Sequence, residues 1–198
     1  MDEVAHRAEE DAMTPMDAML HVLRYQAVGV RRDAARVSAE PGPKELILEI
    51  EKLLSDEDPV VREASMEALV KLGAKESAPE IAKRLRDDDV CVRYTAAWAL
   101  ERLGAKEMAP EIVKLLGNKN EDVRQVAAEA LGRLGAKESA SEIVKLLGDE
   151  DGDVRRAAAW ALGRLGAKES ASEIEKLLGD VDAEVRRTAA WSLARLGS

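Results

Sequence analysis

The chain has 198 residues, a net charge of −9, 46% hydrophobic and 35% charged residues, and a single cysteine, Cys91. That length allows one sizeable core or one continuous array of repeats. No run of about 18 apolar residues is available for a membrane span, one cysteine excludes an internal disulfide framework and fits a reducing compartment, and the acidic balance disfavours a general nucleic-acid coat.

The first residues, MDEVAHRAEED, are acidic and lack an apolar stretch, so they do not read as a signal peptide. A cytoplasmic protein is expected, with residues 1–10 as a frayed helix or tail. Residues 11–41 look unrelated to the rest of the chain, yet they hold its phase. Val30-Arg31 and Gly42 stand one period before Val61-Arg62 and Gly73. Thr14-Pro15 has the form of a helix N-cap and first residue. Ser38 and Pro41 replace the leucines Leu69 and Leu72, as a solvent-facing terminal cap would require.

From residue 42 to 198 the chain is a fivefold repeat. Leu-Gly recurs at Leu72-Gly73, Leu103-Gly104, Leu134-Gly135, Leu165-Gly166 and Leu196-Gly197, a spacing of 31 residues. Val-Arg keeps the same spacing from Val61-Arg62 to Val185-Arg186. A fixed period of this length marks a solenoid. Each unit reads as two helices. The first, as from Ser139 to Leu147, opens on Ser-x-x-Glu pairs at Ser77/Glu80, Ser139/Glu142 and Ser170/Glu173, the pattern of a capping box. The second comes after an N-cap column of Asp58, Asp89, Asn120, Asp151 and Asp182, with Pro59 at the first helical position. It ends at the glycine column Gly73 to Gly197, expected to be left-handed. The last unit keeps the internal apolar pattern Ile174, Leu177, Leu178, Val185, Leu193 and Leu196. One face there is expected to be uncovered, open to end-to-end homo-oligomerisation, to a longer parent chain, or simply to solvent.

The pattern DxDxxVRxxAAxALGxLG, together with a short helix with a central Ile and Leu, resembles the HEAT-like repeats of the phycobilisome-lyase type. The resemblance covers five units and, less well, a sixth. It implies an all-α, right-handed α-solenoid whose second helices line a concave face where ligands bind. The composition points the same way. Second helices are rich in alanine (Ala96, Ala97, Ala99), while first helices carry Ile112, Leu115 and Leu116, so the stack should be tighter on the second-helix side.

Aromatic residues show where that face points. Phenylalanine is absent and the aromatics are Tyr25, Tyr94, Trp98, Trp160 and Trp191. With about 100° per residue and Val92 at zero, the constant residues Ala96, Ala97, Ala99, Leu100 and Leu103 fall between roughly −20° and 140°. Cys91, Tyr94, Thr95, Trp98, Glu101 and Arg102 fall between roughly 180° and 300°. The Trp98 column reads Glu67, Trp98, Glu129, Trp160, Trp191. A core position would not alternate between carboxylate and indole, because burying an unpaired carboxylate is costly. The expected partner-binding face is therefore Tyr94, Trp98 and Arg102; Gln125, Glu129 and Arg133; Arg156, Trp160 and Arg164; Arg187, Trp191 and Arg195. Trp and Arg dominate many interfaces, and Arg156 and Arg164, four residues either side of Trp160, are placed for cation–π contact. A competing reading has the tryptophans lying flat over the alanine seam. If the face binds a partner, Trp160→Ala with Trp191→Ala should leave thermal stability nearly unchanged.

Other patterns read as structure. The arginine column Arg62, Arg93, Arg124, Arg155, Arg186 is expected to bond the N-cap Asp column of neighbouring units. The acidic stretches DDDV and DEDGD lack the spacing of a calcium loop, and Cys91 is expected to be an inert, half-buried thiol. Some HEAT-repeat enzymes similar in fold use His-Glu pairs on successive repeats to hold di-iron, but the matching segments here read AKES or AKEM and the only histidines are His6 and His21. No catalytic residue, metal or cofactor is expected. The favoured function is a non-enzymatic scaffold for another protein or peptide. A bilin lyase-like subunit and nucleic-acid binding through the Trp/Arg groove are the alternatives.

Overall fold

The computed structural model describes residues 44–197. The tail expected over 1–10 and the capping repeat expected over 11–41, with His6, His21 and Tyr25, lie outside the described residues. The chain divides into two compact units, Met1–Ser77 and Ala78–Ser198. Among the described residues there are ten α-helices and no strands, the content of an all-α solenoid built from helix pairs.

In the first unit, α1 (Lys44–Lys52) tightens into a 3-10 turn at Leu53–Ser55, and α2 (Pro59–Leu72) comes next. Leu46, Ile50 and Leu54 meet Val61, Ala64 and Leu69 in a closed core, each no more than 2% exposed. Asp58 accepts a hydrogen bond from the Val60 amide at 2.8 Å, and Pro59 begins the helix.

The second unit repeats that pair four times. Short helices α3 (Ala78–Lys83), α5 (Ala109–Val113), α7 (Ala140–Val144) and α9 (Ala171–Lys176) alternate with long ones: α4 (Val90–Leu103), α6 (Glu121–Leu134), α8 (Gly152–Leu165) and α10 (Ala183–Gly197). Each short helix packs on the long helix of its own pair, and each long helix packs on the next. The N-cap column forms throughout, with Asp89, Asn120, Asp151 and Asp182 accepting first-turn amides. Gly104, Gly135 and Gly166 close their helices with φ of 64°, 67° and 69°. The amide of the alanine after each glycine returns five residues, as Ala105 does to the Leu100 carbonyl, which completes a Schellman closure.

Three expectations need correction. First, Gly197 does not turn left-handed; it is the last helical residue of α10. The locking amide elsewhere comes from the following alanine, and Ser198, which stands there, lies outside the described residues. Second, the capping boxes do not form. Ser139 and Ser170 make no side-chain cap bond, because a 3-10 turn runs straight into the helix and leaves the serine backbone near helical values. A capping serine needs an extended backbone. The glutamates instead bond lysines three residues on, at Glu80–Lys83, Glu142–Lys145 and Glu173–Lys176.

Third, the arginine column reaches past the N-caps. Arg124 grips Asp149 through Nε and an Nη, both at 2.8 Å, and Arg155 grips Asp180 at 2.7 and 2.9 Å. These aspartates stand two residues before the N-cap aspartates. The other guanidinium nitrogen of each arginine holds two carbonyls of its own loop, Asn118 and Lys119 for Arg124 and Asp149 and Glu150 for Arg155. Where the acceptor column carries Asn118, Arg93 turns to Asp122 at 2.7 Å. In the last unit Leu178, Ala190 and Leu193 are more open than their counterparts Leu147, Ala159 and Leu162 in the unit before. Ile174, Leu177, Val185 and Leu196 are buried and Leu193 is half-buried, while Leu178 is 44% and Val181 92% exposed.

Candidate functional site on the long-helix face

Burial follows the helical arcs. In α4, Val92, Ala96, Ala97, Ala99 and Leu100 are no more than 1% exposed, whereas Tyr94 and Trp98 are each 37% exposed. Trp191 in α10 is 42% exposed, and Glu129 and Trp160 are half-buried. Cys91, in the first turn of α4, is exposed rather than half-buried.

The three tryptophans of the column meet different surroundings. The Trp160 ring lies over the preceding long helix, above Gly132. A Cβ on Gly132 would stand 3.0 Å from Trp160 Cζ3 and 2.9 Å from the Ala161 Cα, so only glycine leaves room for this approach. Two guanidinium groups flank the ring, Arg164 at 5.2 Å and Arg133 at 5.7 Å from its centroid. Glu101 then receives an N–H from each, at 3.1 Å from Arg133 and 3.0 Å from Arg164. One carboxylate of α4 thus ties α6 and α8 over the indole. Arg164 Nε also donates to the Gly132 carbonyl at 3.3 Å.

Trp191 repeats part of this arrangement. Arg195 stacks on it at 5.0 Å and donates Nε to the Gly163 carbonyl at 3.3 Å. Beside it the buried Ser192 hydroxyl donates to the Ala159 carbonyl at 2.8 Å, and a Cβ on Gly163 would fall 2.8 Å from that hydroxyl oxygen. Trp98 differs: no guanidinium stacks on it, and the exposed Arg102 makes no hydrogen bond or ion pair among the described residues.

A polar strand of the same face links α4 to α6. Gln125 Nε2 donates to the Tyr94 hydroxyl at 2.7 Å and to Glu129 Oε1 at 3.3 Å. Burial holds the Glu129 carboxyl above its usual range, although the Gln125 hydrogen bond and the charges of Arg156 and Arg133 pull it back. Burial, with the negative charge of Glu129, also raises the Tyr94 phenol. Arg156 does not stack on Trp160. It bonds Asp153 through two nitrogens, at 2.9 and 3.1 Å, one turn back on its own helix. Arg133, from the helix before, takes the expected place. Arg187 pairs likewise with Glu184.

Glu101, which ties the two arginines, is the residue of this face that the expected binding set left out. Its column reads Val70, Glu101, Gly132, Gly163, Ala194. A lone carboxylate set against glycines was the available signal. What the face offers chemically is indole and phenol surface, N–H donors and carboxylates already held in pairs, which suits recognition. No group of three His, Cys, Asp or Glu side chains among the described residues could hold a metal ion. No described helix is long and apolar enough to cross a membrane.

The family of HEAT repeats matches residues 16–91, 78–152 and 140–198. The chain belongs to the HEAT-repeat family. Solved structures agree on the fold. The complex of CpcE and CpcF of phycocyanin lyase from Nostoc sp. PCC7120 is 26% identical, with a TM-score of 0.59, over 94% of this chain and 78% of that one. An engineered protein is 23% identical, with a TM-score of 0.56, over 93% and 97%. A chain from a structure on microtubule plus-end tracking by XMAP215, CLIP-170 and EB1 is 20% identical, with a TM-score of 0.66, over 94% and 92%. No curated protein sequence matches the chain.

Proposed function

We propose that the chain is a non-enzymatic scaffold that binds another protein or peptide on the face of its long helices. The observation that carries this reading is the exposure of Tyr94, Trp98 and Trp191, each more than a third open, with the alanine seam of α4 closed beneath the first two. Large aromatic side chains left open on a polar rim are the usual anchors of an interface. The uncommitted Arg102 guanidinium beside Trp98 adds a directed donor. Trp160, roofed by two arginines and Glu101, serves as the floor between the two anchors.

The test is selection of random peptides displayed on phage against the intact chain, with affinities of enriched peptides measured by fluorescence anisotropy. Trp98→Ala with Trp191→Ala should weaken the selected peptides at least about tenfold, or about 1.4 kcal/mol, with an unchanged circular dichroism spectrum. Enriched peptides that bind the double variant as well as the parent would defeat the reading, as would failure to enrich any.

The likeness to the CpcE–CpcF complex favours a second reading, a subunit of a bilin lyase-like enzyme. A free bilin would then shift its absorbance on addition of the chain. Nucleic-acid binding has less in its favour, because Glu101 already occupies Arg133 and Arg164. Binding that falls steeply with added salt would be its signature.

A further inference from the structure

The short helices carry a surface of their own. Between α3 and α5 lies a cleft of ≈ 260 Å³, floored by Ala82, Met108, Ile112 and Leu115, with Lys83 and Arg86 at its mouth. Three departures from the repeat converge there. Ala82 stands where the next two units have Val113 and Val144, so two methyl groups of filling are missing. Met108 replaces the serine of Ser139 and Ser170, and Arg86 replaces the glycine of Gly117, Gly148 and Gly179.

The size decides what class of occupant fits. Sites for whole small molecules run from about 300 to 1,000 Å³, so this cleft is matched to one large side chain. Its floor is apolar, with Ile112 at 0% and Leu115 at 8% exposure, and the Met108 thioether can adapt to an inserted group. Charge decides the rest. Glu111, also at the cleft, is engaged by Lys114 at 2.6 Å, and Lys83 is engaged by Glu80 at 2.6 Å. Arg86 is exposed and makes no hydrogen bond or ion pair among the described residues. The one uncommitted charge at the mouth is therefore a guanidinium, which pairs best with a carboxylate in a fork geometry.

We propose that this cleft docks an acidic peptide segment, seating one large apolar side chain on Ala82, Met108, Ile112 and Leu115 while a neighbouring carboxylate engages Arg86. It lies on the short helices and does not depend on the tryptophan face.

The test follows the Met108 methyl signal by NMR in the full chain labelled at methionine methyls, with Met108→Leu to assign it. The probes are two capped pentapeptides, a phenylalanine flanked on each side by two aspartates and the same peptide with lysines. The aspartate peptide should shift the Met108 signal saturably and the lysine peptide should not. Arg86→Glu should weaken the aspartate peptide at least about tenfold. Ala82→Val, which restores the side chain of the following units, should abolish the shift with the thermal midpoint unchanged or raised. Trp98→Ala with Trp191→Ala should leave it untouched. The proposal is overturned by equal shifts with both peptides, by no saturable shift with the aspartate peptide, by binding that survives both Arg86→Glu and Ala82→Val, or by loss of binding in the tryptophan double variant.

Discussion

Trp98 and Trp160 occupy the same place in the repeat, yet Trp160 is half-buried between two arginines while Trp98 is 37% exposed with no guanidinium stacked on it. The difference arises one helix earlier. Gly132 beneath Trp160 lets the indole settle across α6, and Arg133, Arg164 and Glu101 close over it. These surroundings change the expectation for a truncation at residue 160. Trp160→Ala should cost about 2–3 kcal/mol in urea unfolding, somewhat below a fully buried tryptophan. Trp98→Ala should cost less than about 1 kcal/mol, as surface changes do. Equal losses would mean that the arginine roof contributes nothing. The alternation of Glu and Trp made the exposure of the column legible in the sequence. The roofing of one member was not, because it depends on space left by a glycine in a different unit.

At the scale of the element, the helix ends were written locally and could be read locally. Asp at the N-cap and Gly at the left-handed cap act on amides and carbonyls within a few residues. Ser-x-x-Glu misled for the same reason: the residues before the serine form a 3-10 turn, and the three-residue spacing lets the glutamate reach a lysine instead. The arginine links span 25 residues, and choosing between two aspartates two positions apart requires the offset between adjacent helix pairs, which no single unit contains. Their strength is open to titration. The Arg155 hydrogen bond, opposed by burial and aided by the Asp182 amide, holds Asp180 below the usual carboxylate range. A depressed folded value means stabilisation that is present above the unfolded pKa, about 3.9, and is lost as pH falls through the folded value. Asp180→Asn should therefore lower stability at neutral pH by about 1–2 kcal/mol. It should also shrink the difference from the parent as the pH is taken below about 3, measured by urea midpoints across the range. A difference that stays constant down to the lowest pH would rule this linkage out.

At the scale of the molecule, order should vary along the second unit. Repeat arrays are stabilised by each unit and by its interfaces with its neighbours. In α8 the seam residues Ala158, Ala159 and Leu162 are fully closed, while in α10 the matching Ala190 is exposed and Leu193 half-buried. Amides of α10 should therefore exchange with deuterium earlier than those of α6 and α8. Simultaneous exchange of all three helices would show a single cooperative block.

The arginine–aspartate link also bears on how such a chain can lengthen. The unit at 135–165 contributes a gripping arginine, Arg155, toward the next unit and an aspartate, Asp149, toward the previous one. A unit copied whole brings both halves, so the copy joins its neighbours without any further mutation. The units at 135–165 and 166–196, which differ at seven positions, have this self-healing boundary between them. Glu101 is different, because its carboxylate spans 63 residues to Arg164. A unit inserted between those two would sever the tie, so growth of the array is expected beyond α8 and not within α4 to α8.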